Sequence, residues 1–284
     1  MSRIVYVNGD YLPEEEARIS VFDRGFLFAD GVYEVTSVLG GRLVDFAAHL
    51  ARLHRSLSEL EMPAPASDEA IEAIHRELLA RNAVEEGMVY LQVTRGAADR
   101  DFAYPPEPIP SLVVFTQARP LVDTPSARTG IKVIALPDIR WQRRDIKTVQ
   151  LLAPSMCKMM AKKAGKDDAW LVEDGFVTEG TSNNAWIVTA DGVLVTRNLS
   201  TSILHGITRH AVMALAAEAQ VRVEERPFTI AEAHDAAEAF ITAASAFVTP
   251  VVEIDGKPLG DGTPGPLTRR LRELYIDAAR RVAV

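Results

Sequence analysis

Apolar and polar residues alternate along several short stretches of the chain, and a turn dipeptide interrupts each of them. The stretches "VYVNGDYL" and "VYEVTSVLGGRLVDF" predict two β-hairpins, with Asn-Gly and Gly-Gly turns. "AWLVEDGFVTEG" and "AWIVTADGVLVTR" predict two more, each with an Asp-Gly turn. Further strands are predicted at "MVYLQVTRG", "SLVVFTQ" and "IKVIALPDI". The pattern therefore predicts a chain rich in short strands.

In other stretches the apolar residues recur every three or four positions, which is the period of a helix. In "AAHLARLHRSLSEL" the leucines Leu50, Leu53, Leu57 and Leu60 fall on one stripe, which predicts an amphipathic helix. "SDEAIEAIHRELLARN" predicts a second helix with Ser67 as its N-cap. "PSMCKMMAKKAG", "GITRHAVMALAAEAQ" and "GPLTRRLRELYIDAARRV" predict further helices, and "TIAEAHDA" opens with the Thr-x-x-Glu pattern of a capping box.

Helices and strands are mixed in both halves of the chain, so the predicted fold class is α/β mixed (α+β) in two domains. "ARPLVDTPSARTG" carries two prolines and little apolar content, which favours a linker. The prediction is a small N-terminal α/β domain over 1–118, a linker over 119–129 and a larger C-terminal domain over 130–284.

Composition narrows the class of protein. The chain has 284 residues and a formal net charge of −8, which disfavours a nucleic-acid binder. No run approaches 18 apolar residues, and the N-terminus lacks an apolar core of signal-peptide length, so neither a membrane span nor a signal peptide is expected. The single cysteine, Cys157, excludes an intrachain disulfide and is expected to be a buried bystander. These features favour a cytoplasmic protein, and no metal site is predicted.

One lysine is placed unusually. Lys158, Lys162, Lys163 and Lys166 fit the solvated face of a helix, whereas Lys147 stands alone in "DIKTVQLL" with apolar residues around it. Partial burial favours a neutral amine, which can attack a carbonyl and form a Schiff base. The alternative is a buried ion pair with Asp145 or another acid. The local sequence leaves both interpretations open.

Three other motifs carry candidate chemistry. Glu179, in "GFVTEGTSNNAWIV", is a carboxylate that could pair with the pyridine nitrogen of pyridoxal phosphate, or simply a turn residue of a hairpin. Ile207 and Thr208 follow Gly206 at a predicted helix start, where backbone N–H groups can bind a phosphate, although on this local evidence Thr208 fits better as an ordinary threonine near an N-cap. Arg52 lies beside the leucine stripe, in line with His49 and Ser56, and could bind a phosphate or be an exposed helical arginine.

Seven motifs taken together resemble one family. They are "FDRGFLFADGVYEV", "HLARLH", "VTRG", "DIRWQRRDIKTVQLL", "VTEGTSNNAW", "LHGITR" and "FVTPVVEIDGKPLGDGTPGPLTRRL". In this order and spacing they resemble the fold-type IV (class IV) pyridoxal-phosphate aminotransferases, nearest to the D-amino acid aminotransferases. The resemblance runs nearly from end to end, although each motif alone is weak or moderate.

The resemblance implies a pyridoxal 5'-phosphate enzyme that moves an amino group between a D-amino acid and a 2-keto acid by ping-pong transamination. It implies that the C-terminal domain binds the cofactor and that the enzyme is a homodimer with shared active sites. The implied roles are the Schiff base and proton transfer for Lys147, the pyridine nitrogen for Glu179, the phosphate for Arg52, Ile207 and Thr208, ring packing for Leu204, and the substrate for Tyr33.

Two departures from the family pattern bear on specificity. The loop "RGAADRDFAYP" has Arg100 in place for the substrate carboxylate, but Phe102 stands where the family has a histidine. Ala243 and Ala244 stand where hydroxyl residues that help bind the phosphate are expected, so only their backbone N–H groups could contribute. The first departure leaves room for bulkier apolar substrates or amines.

Several activities stay open at this point. Within the same fold, a branched-chain L-amino acid aminotransferase, an (R)-amine aminotransferase and an aminodeoxychorismate-lyase-like enzyme are alternatives. A catalytically silent binding protein is the alternative from another class, and the presence of both Lys147 and Glu179 disfavours it.

Overall fold

The computed structural model describes residues 2–284, which form two compact units, each with its own sheet. The first unit contains Met1–Pro120, Ile146–Gln150 and Val282–Val284. The second contains Leu121–Asp145 and Leu151–Arg281. Mixed helices and strands in both units confirm the predicted fold class.

The sheet of the first unit has six strands in the order β2-β1-β6-β5-β3-β4, and every neighbouring pair is antiparallel. The strands are β1 Ile4–Val7, β2 Asp10–Pro13, β3 Gly31–Leu39, β4 Arg42–Leu43, β5 Glu86–Thr94 and β6 Ser111–Ala118. The helices are α1 Arg24–Phe28, α2 Phe46–Glu59 and α3 Asp68–Asn82.

Strand β3 and helix α2 make the part of this unit that carries candidate chemistry. Alternate side chains of a strand point to opposite faces. Glu34 therefore lies on one face of β3, where it meets α2, while Tyr33 lies on the other. The leucine stripe of α2 is half confirmed as core, since Leu53 and Leu57 are buried whereas Leu50 and Leu60 are partly exposed.

A short segment from the middle of the chain lies beside β3. Thr148 forms an isolated antiparallel bridge with Val32, and the N–H of Val149 donates to the carbonyl of Gly31 over 3.0 Å. Ile146–Gln150 thus belongs to the first unit although it follows the first strand of the second unit in sequence.

The sheet of the second unit has nine strands, in the order β12-β11-β10-β13-β14-β7-β8-β9, with β15 paired to β14. It is mixed, because β14–β7, β7–β8 and β11–β12 are parallel and the other pairs are antiparallel. The strands are β7 Ile131–Pro137, β8 Asp168–Glu173, β9 Phe176–Gly180, β10 Asn184–Val188, β11 Leu194–Thr196, β12 Val223–Glu225, β13 Glu238–Ala243, β14 Phe247–Ile254 and β15 Lys257–Pro258.

The remaining helices are α4 Pro125–Thr129, α5 Leu152–Lys163, α6 Ile207–Glu218, α7 Ile230–His234 and α8 Pro266–Val282. The core of this sheet is built from fully buried aromatic and branched side chains, among them Trp170, Phe228 and Ile187. Trp170 packs edge-on against Phe228, with ring centroids 5.9 Å apart.

Most of the predicted local structure is confirmed. All four hairpins form at the expected turns, Ser67 caps α3 by accepting from the N–H of Ala70, and Thr229 caps α7 by accepting from Glu232. Cys157 is buried, as expected. Within 119–129, Thr124 caps the short helix α4, for which no helix was predicted.

Across residues 2–284, no helix is long and apolar enough to cross a membrane.

Candidate active site

Lys147 lies in the first unit, on the segment that pairs with β3. Its carbonyl accepts from the N–H of Tyr33 over 3.0 Å, and its own N–H donates to Ser56 Oγ over 3.4 Å. The side chain is half-buried, and Nζ lies 4.1 Å from the centroid of the Tyr33 ring. The main chain thus fixes the lysine, and its amine rests against an aromatic face.

The Tyr33 ring belongs to an aromatic row that crosses the sheet. It stacks on Tyr90 with centroids 5.6 Å apart, and Tyr90 stacks on Phe115 at 4.8 Å. Burial raises the pKa of the Tyr90 hydroxyl, which donates to Gln92 Oε1 over 2.8 Å. The ring beside the lysine amine therefore belongs to a stacked aromatic row.

Arg52 is buried and held by a carboxylate on the other face of β3. Its Nε donates to Glu34 Oε1 over 2.8 Å and its Nη2 to Oε2 over 2.7 Å, while His49 Nδ1 lies 2.7 Å from the same Oε2. Burial alone would raise the pKa of Glu34, but the charge and hydrogen bonds of Arg52, with the contact from His49, lower it to about 2. The guanidinium plane is therefore fixed by an ionised partner.

The loop with Arg100 and Phe102 is the most exposed part of the predicted site. Phe102 is 79% exposed and packs against Phe28 with centroids 5.5 Å apart. The Arg100 guanidinium lies 5.3 Å over the same Phe28 ring. Buried Arg24 supports this loop by donating from Nη1 to the carbonyl of Asp101 over 2.6 Å.

Glu179 lies in the second unit, near the end of β9, and is only 3% exposed. It is not an exposed turn residue. Arg140 Nη1 donates to Oε1 over 2.5 Å, while Asn184 Nδ2 and the N–H of Leu204 donate to Oε2 over 3.0 Å each. Burial raises the pKa of Glu179, against the opposing charge and hydrogen bond of Arg140.

The loop before α6 is tied to this carboxylate. Asn184 Nδ2 also donates to the carbonyl of Leu204 over 3.0 Å. Gly206 is the N-cap of α6 and offers no side-chain cap to the helix, and no acidic residue lies in its first turn. A Cβ on Gly206 would come within 2.1 Å of Asn184 Oδ1, so a larger residue would displace the side chain that donates to Glu179 and to the carbonyl of Leu204. The N-terminus of α6, with Ile207 and buried Thr208, thus has the character of an anion site.

Ala243 is the last residue of β13, Ala244 follows it, and both are half-buried. The carbonyl of Ala243 accepts from the N–H of Ala246 over 3.1 Å. Neither alanine has a side-chain donor, so any polar contribution from this turn is limited to the main chain.

The structure brings two pairs of the predicted residues into contact. In the first unit Lys147 meets Tyr33, and in the second Glu179 meets Leu204. Sequence reasoning missed the partners of the charged residues, namely Glu34 for Arg52, and Arg140, Asp138 and Asn184 around Glu179. The only sequence signal for Arg140 was its place in the charged run "DIRWQRRDIK".

The second unit presents a donor and acceptor set that suits pyridoxal phosphate. Glu179 is a buried carboxylate that can accept from the ring N–H. No side chain caps the N-terminus of α6, so the first backbone N–H groups of this helix can donate to a phosphate. In the first unit, Lys147 supplies a half-buried amine of the type that attacks an aldehyde. The residues of the second unit therefore fit the ring and the phosphate of this cofactor, and Lys147 of the first unit fits its aldehyde.

Comparison with known proteins agrees with the geometry. The family described as Amino-transferase class IV matches residues 31–254. The D-alanine aminotransferase of Staphylococcus aureus (strain MSSA476) is 36% identical over 272 residues, covering 95% of each chain. That of Bacillus licheniformis is 38% identical over 270 residues, covering 94% of each.

A solved structure gives the same answer for the fold. The branched-chain aminotransferase of the thermophilic archaeon Thermoproteus uzoniensis, solved with norvaline, has a TM-score of 0.88 at 25% identity. The alignment covers 98% of this chain and 95% of that one. The family matches most of the chain and the relatives match nearly all of it, so the protein belongs to the class IV aminotransferases, which are pyridoxal-phosphate enzymes.

Proposed function

We propose that this protein is a D-amino acid transaminase, which moves an amino group from a D-amino acid to a 2-keto acid by a ping-pong mechanism. The observation that carries the proposal is the similarity to D-alanine aminotransferases, at 36–38% identity over 94–95% of the chain. A half-buried lysine and a buried glutamate of the types that this chemistry needs support it.

Lys147 is proposed to bond the cofactor covalently and to move the substrate proton. Pyridoxal phosphate, when bound, supplies the electron sink that stabilises negative charge on the α-carbon of the amino acid. The Nζ of Lys147 takes up the α-proton and gives it back later in the cycle. The Tyr33 face beside Nζ and the hydrogen bonds of the Lys147 main chain keep the amine in place and limit its contact with water.

Glu179 is proposed to hold the proton of the pyridine nitrogen. Arg140, Asn184 and the N–H of Leu204 donate hydrogen bonds to its two Oε atoms, and these bonds fix the orientation of the carboxylate. A negative partner in a buried site strengthens the positive ring and so its capacity to accept electrons.

The phosphate is proposed to be held by Arg52, Ile207 and Thr208. Arg52 is fixed by its pair with Glu34, and the other two residues begin α6. Ala243 and Ala244 add only main-chain groups, which leaves the phosphate with fewer hydroxyl donors than the family pattern provides. Leu204 is proposed to pack on the ring.

Tyr33, Arg100 and Phe102 are proposed to face the substrate. In a homodimer, the loop with Arg100 and Phe102 would complete the site of the partner subunit. Large apolar side chains that are exposed in the single chain, including Phe26, Leu152 and Met156, support such an association. Light scattering of the purified protein tests whether it is a dimer. The cytoplasmic location also stays a prediction.

The first experiment identifies the lysine. Borohydride reduction of the holoenzyme followed by peptide mapping should place the pyridoxyl group on Lys147. A label on Lys158 or Lys162 would show that the assignment is wrong.

The second experiment identifies the substrate class. The branched-chain L-amino acid reaction is the second candidate, because the Thermoproteus uzoniensis enzyme shares the fold at 25% identity and Phe102 offers an apolar contact. Half-reaction rates should be higher for D-alanine and larger apolar D-amino acids than for L-leucine, L-valine or (R)-amines. A clear preference for the L-branched-chain substrates would replace the present proposal with the second candidate.

The third experiment tests the carboxylate contact. A charge-assisted hydrogen bond contributes about 1.5–3 kcal/mol, so Arg100→Ala should raise the apparent binding constant of D-amino acids about tenfold or more. An uncharged (R)-amine should be nearly unaffected, and Phe102→His should favour D-glutamate. Equal slowing of amines and amino acids by Arg100→Ala would make Arg100 a structural residue.

A further inference from the structure

Arg140 joins two buried carboxylates in the second unit. Its Nε donates to Asp138 Oδ1 over 2.9 Å and its Nη2 to Oδ2 over 2.7 Å, while Nη1 donates to Glu179 Oε1 over 2.5 Å. The Arg140 side chain is 10% exposed, and that of Asp138 is fully buried. One guanidinium is therefore shared between a supporting acid and the acid proposed to meet the cofactor ring.

Asp138 is itself held rigidly. Thr178 Oγ1 donates to its Oδ2 over 2.7 Å, and Arg144 Nη1 lies 3.5 Å from the same oxygen. Arg144 in turn pairs with Glu173 over 2.7 Å. Since Asp138 occupies two nitrogens of Arg140 in a bidentate pair, the direction of the third nitrogen toward Glu179 is fixed.

The charge of Arg140 also matters to Glu179. Of the three donors that meet the Glu179 carboxylate, Arg140 carries a positive charge, whereas the Asn184 amide and the Leu204 N–H are neutral. A carboxylate in a buried site prefers to be protonated unless a cation opposes that preference. Burial and the nearby charge of Asp138 raise the pKa of Glu179, and Arg140 works against both.

We propose that Arg140, oriented by Asp138, is a positioning residue that keeps Glu179 ionised and thereby controls the protonation of the cofactor's pyridine nitrogen. This inference rests on the proposed role of Glu179. A purely structural Arg140 would only tie the segment after β7 to β9, and its charge would have no effect on the ring.

The test uses holoenzyme loaded with pyridoxal phosphate that carries ¹⁵N at the ring nitrogen, whose NMR shift reports protonation. Arg140→Gln removes the charge and keeps a donor, while Arg140→Lys keeps the charge. Arg143→Gln is the matched control, because Arg143 lies on the same segment and pairs with Asp145 over 3.0 Å.

The parent, Arg140→Lys and Arg143→Gln should show a protonated ring nitrogen at neutral pH, and Arg140→Gln should show an unprotonated one. The kcat of Arg140→Gln should fall by about tenfold to a hundredfold, with little change in KM. If Arg140→Gln keeps the parental shift, or if Arg140→Lys loses it, the charge of Arg140 does not govern the ring and the inference is overturned.

Removal of Arg140 alone breaks the bidentate pair of buried Asp138 and leaves Arg144, 3.5 Å away, as its remaining cation, so this variant is expected to be less stable. The double variant Asp138→Asn/Arg140→Gln removes the ion pair as a whole, which proteins tolerate better. Because Asp138 raises the pKa of Glu179 and Arg140 lowers it, the protonated fraction of the ring nitrogen in the double variant should lie between those of the parent and Arg140→Gln. A fraction equal to the parent's would overturn the inference. Glu179→Gln separates this result from the proposed function, because an unchanged shift there would show that Glu179 is not the partner of the ring.

Discussion

Each unit of the protein buries a glutamate against an arginine, and the pKa values of the two carboxyl groups shift in opposite directions. Glu34 receives both Nε and Nη2 of Arg52, and His49 lies against the same carboxylate. Glu179 receives only Nη1 of Arg140, whose other two nitrogens serve Asp138. The pKa of Glu34 falls to about 2, whereas that of Glu179 is raised.

The two sites differ in how many buried acids share the arginine, and His49 adds a further hydrogen bond at Glu34. Burial opposes ionisation of both glutamates, and at Glu34 a bidentate arginine together with His49 overcomes it. Glu34 has that partner and is suited to anchor α2 against β3. Glu179 shares its arginine with a second acid, which leaves its proton affinity open to adjustment by a positive ligand.

The largest expected effect concerns activity at Glu179. Glu179→Gln should retain bound cofactor but lose about a hundredfold or more in turnover, since a buried charge that acts on the transition state is removed. Absorbance of the bound cofactor and single-turnover rates with D-alanine measure the two quantities. Turnover at the parental rate would show that Glu179 has another role. The contrast between a structural Glu34 and a functional Glu179 would then be wrong.

The next effect concerns stability. Glu34→Gln breaks a bidentate pair with a buried guanidinium and should lower the free energy of unfolding by about 3 kcal/mol. Glu179→Gln should change it by less than about 1 kcal/mol, because Arg140 keeps its bidentate pair with Asp138. Urea unfolding of the two apo-proteins makes this comparison, and equal losses would contradict the different roles of the two acids.

The pH dependence of stability should separate the same two residues. The folded pKa of Glu34 is about 2, below its ordinary value of 4.5, so its contribution is present above pH 4.5 and is lost as the pH falls through 2. At 1.36 kcal/mol per unit this amounts to about 3 kcal/mol. The raised pKa of Glu179 acts in the opposite direction, because its protonated form favours the fold and that advantage is lost as the pH rises through the folded pKa.

His75 adds a second acid-sensitive group to the first unit. It is buried, and burial lowers its pKa from 6.5 to about 4, so its neutral form stabilises the fold above pH 6.5 and the contribution is lost as the pH falls through 4. The free energy of unfolding, measured from pH 7 to pH 3, should therefore depend less steeply on pH than in the parent. In His75→Leu the reduced slope should appear between pH 6.5 and 4, and in Glu34→Gln it should appear below pH 4.5. Parental slopes in both variants would contradict these assignments.

The smallest effect is expected at an exposed pair in the same unit. Arg81 and Glu77 lie four residues apart on α3, with side chains 43% and 46% exposed, and their atoms approach to 2.7 Å. Arg81→Gln should cost less than about 0.5 kcal/mol in urea unfolding. A loss near that of Glu34→Gln would show that burial is not what distinguishes the ion pairs of this unit.

Local structure could be predicted wherever a few neighbouring residues decide it. The hairpins form at the Asn-Gly, Gly-Gly and Asp-Gly turns because those residues adopt the required backbone angles, and Ser67 and Thr229 cap their helices through contacts three residues away. Lys147 could be singled out because its apolar neighbours are adjacent in sequence. The short helix α4 was missed because proline favours a helix start as well as a linker.

The partners of the charged residues could not be predicted. Arg140 and Glu179 are 39 residues apart, and Arg52 and Glu34 are 18 apart on different kinds of element. Which of several nearby acids each arginine meets depends on strand register and helix rotation, and local patterns do not encode either.

The sequence alone determined the strands, the helices, the family motifs and the residue types that the chemistry needs. Only the tertiary structure decided that Ile146–Gln150 lies beside β3, that Arg52 pairs bidentately with Glu34, and that Arg140 divides its donors between Asp138 and Glu179. The physical reason is that turns and caps depend on neighbouring residues, whereas ionisation depends on burial and on charges that only the folded chain brings within a few ångströms.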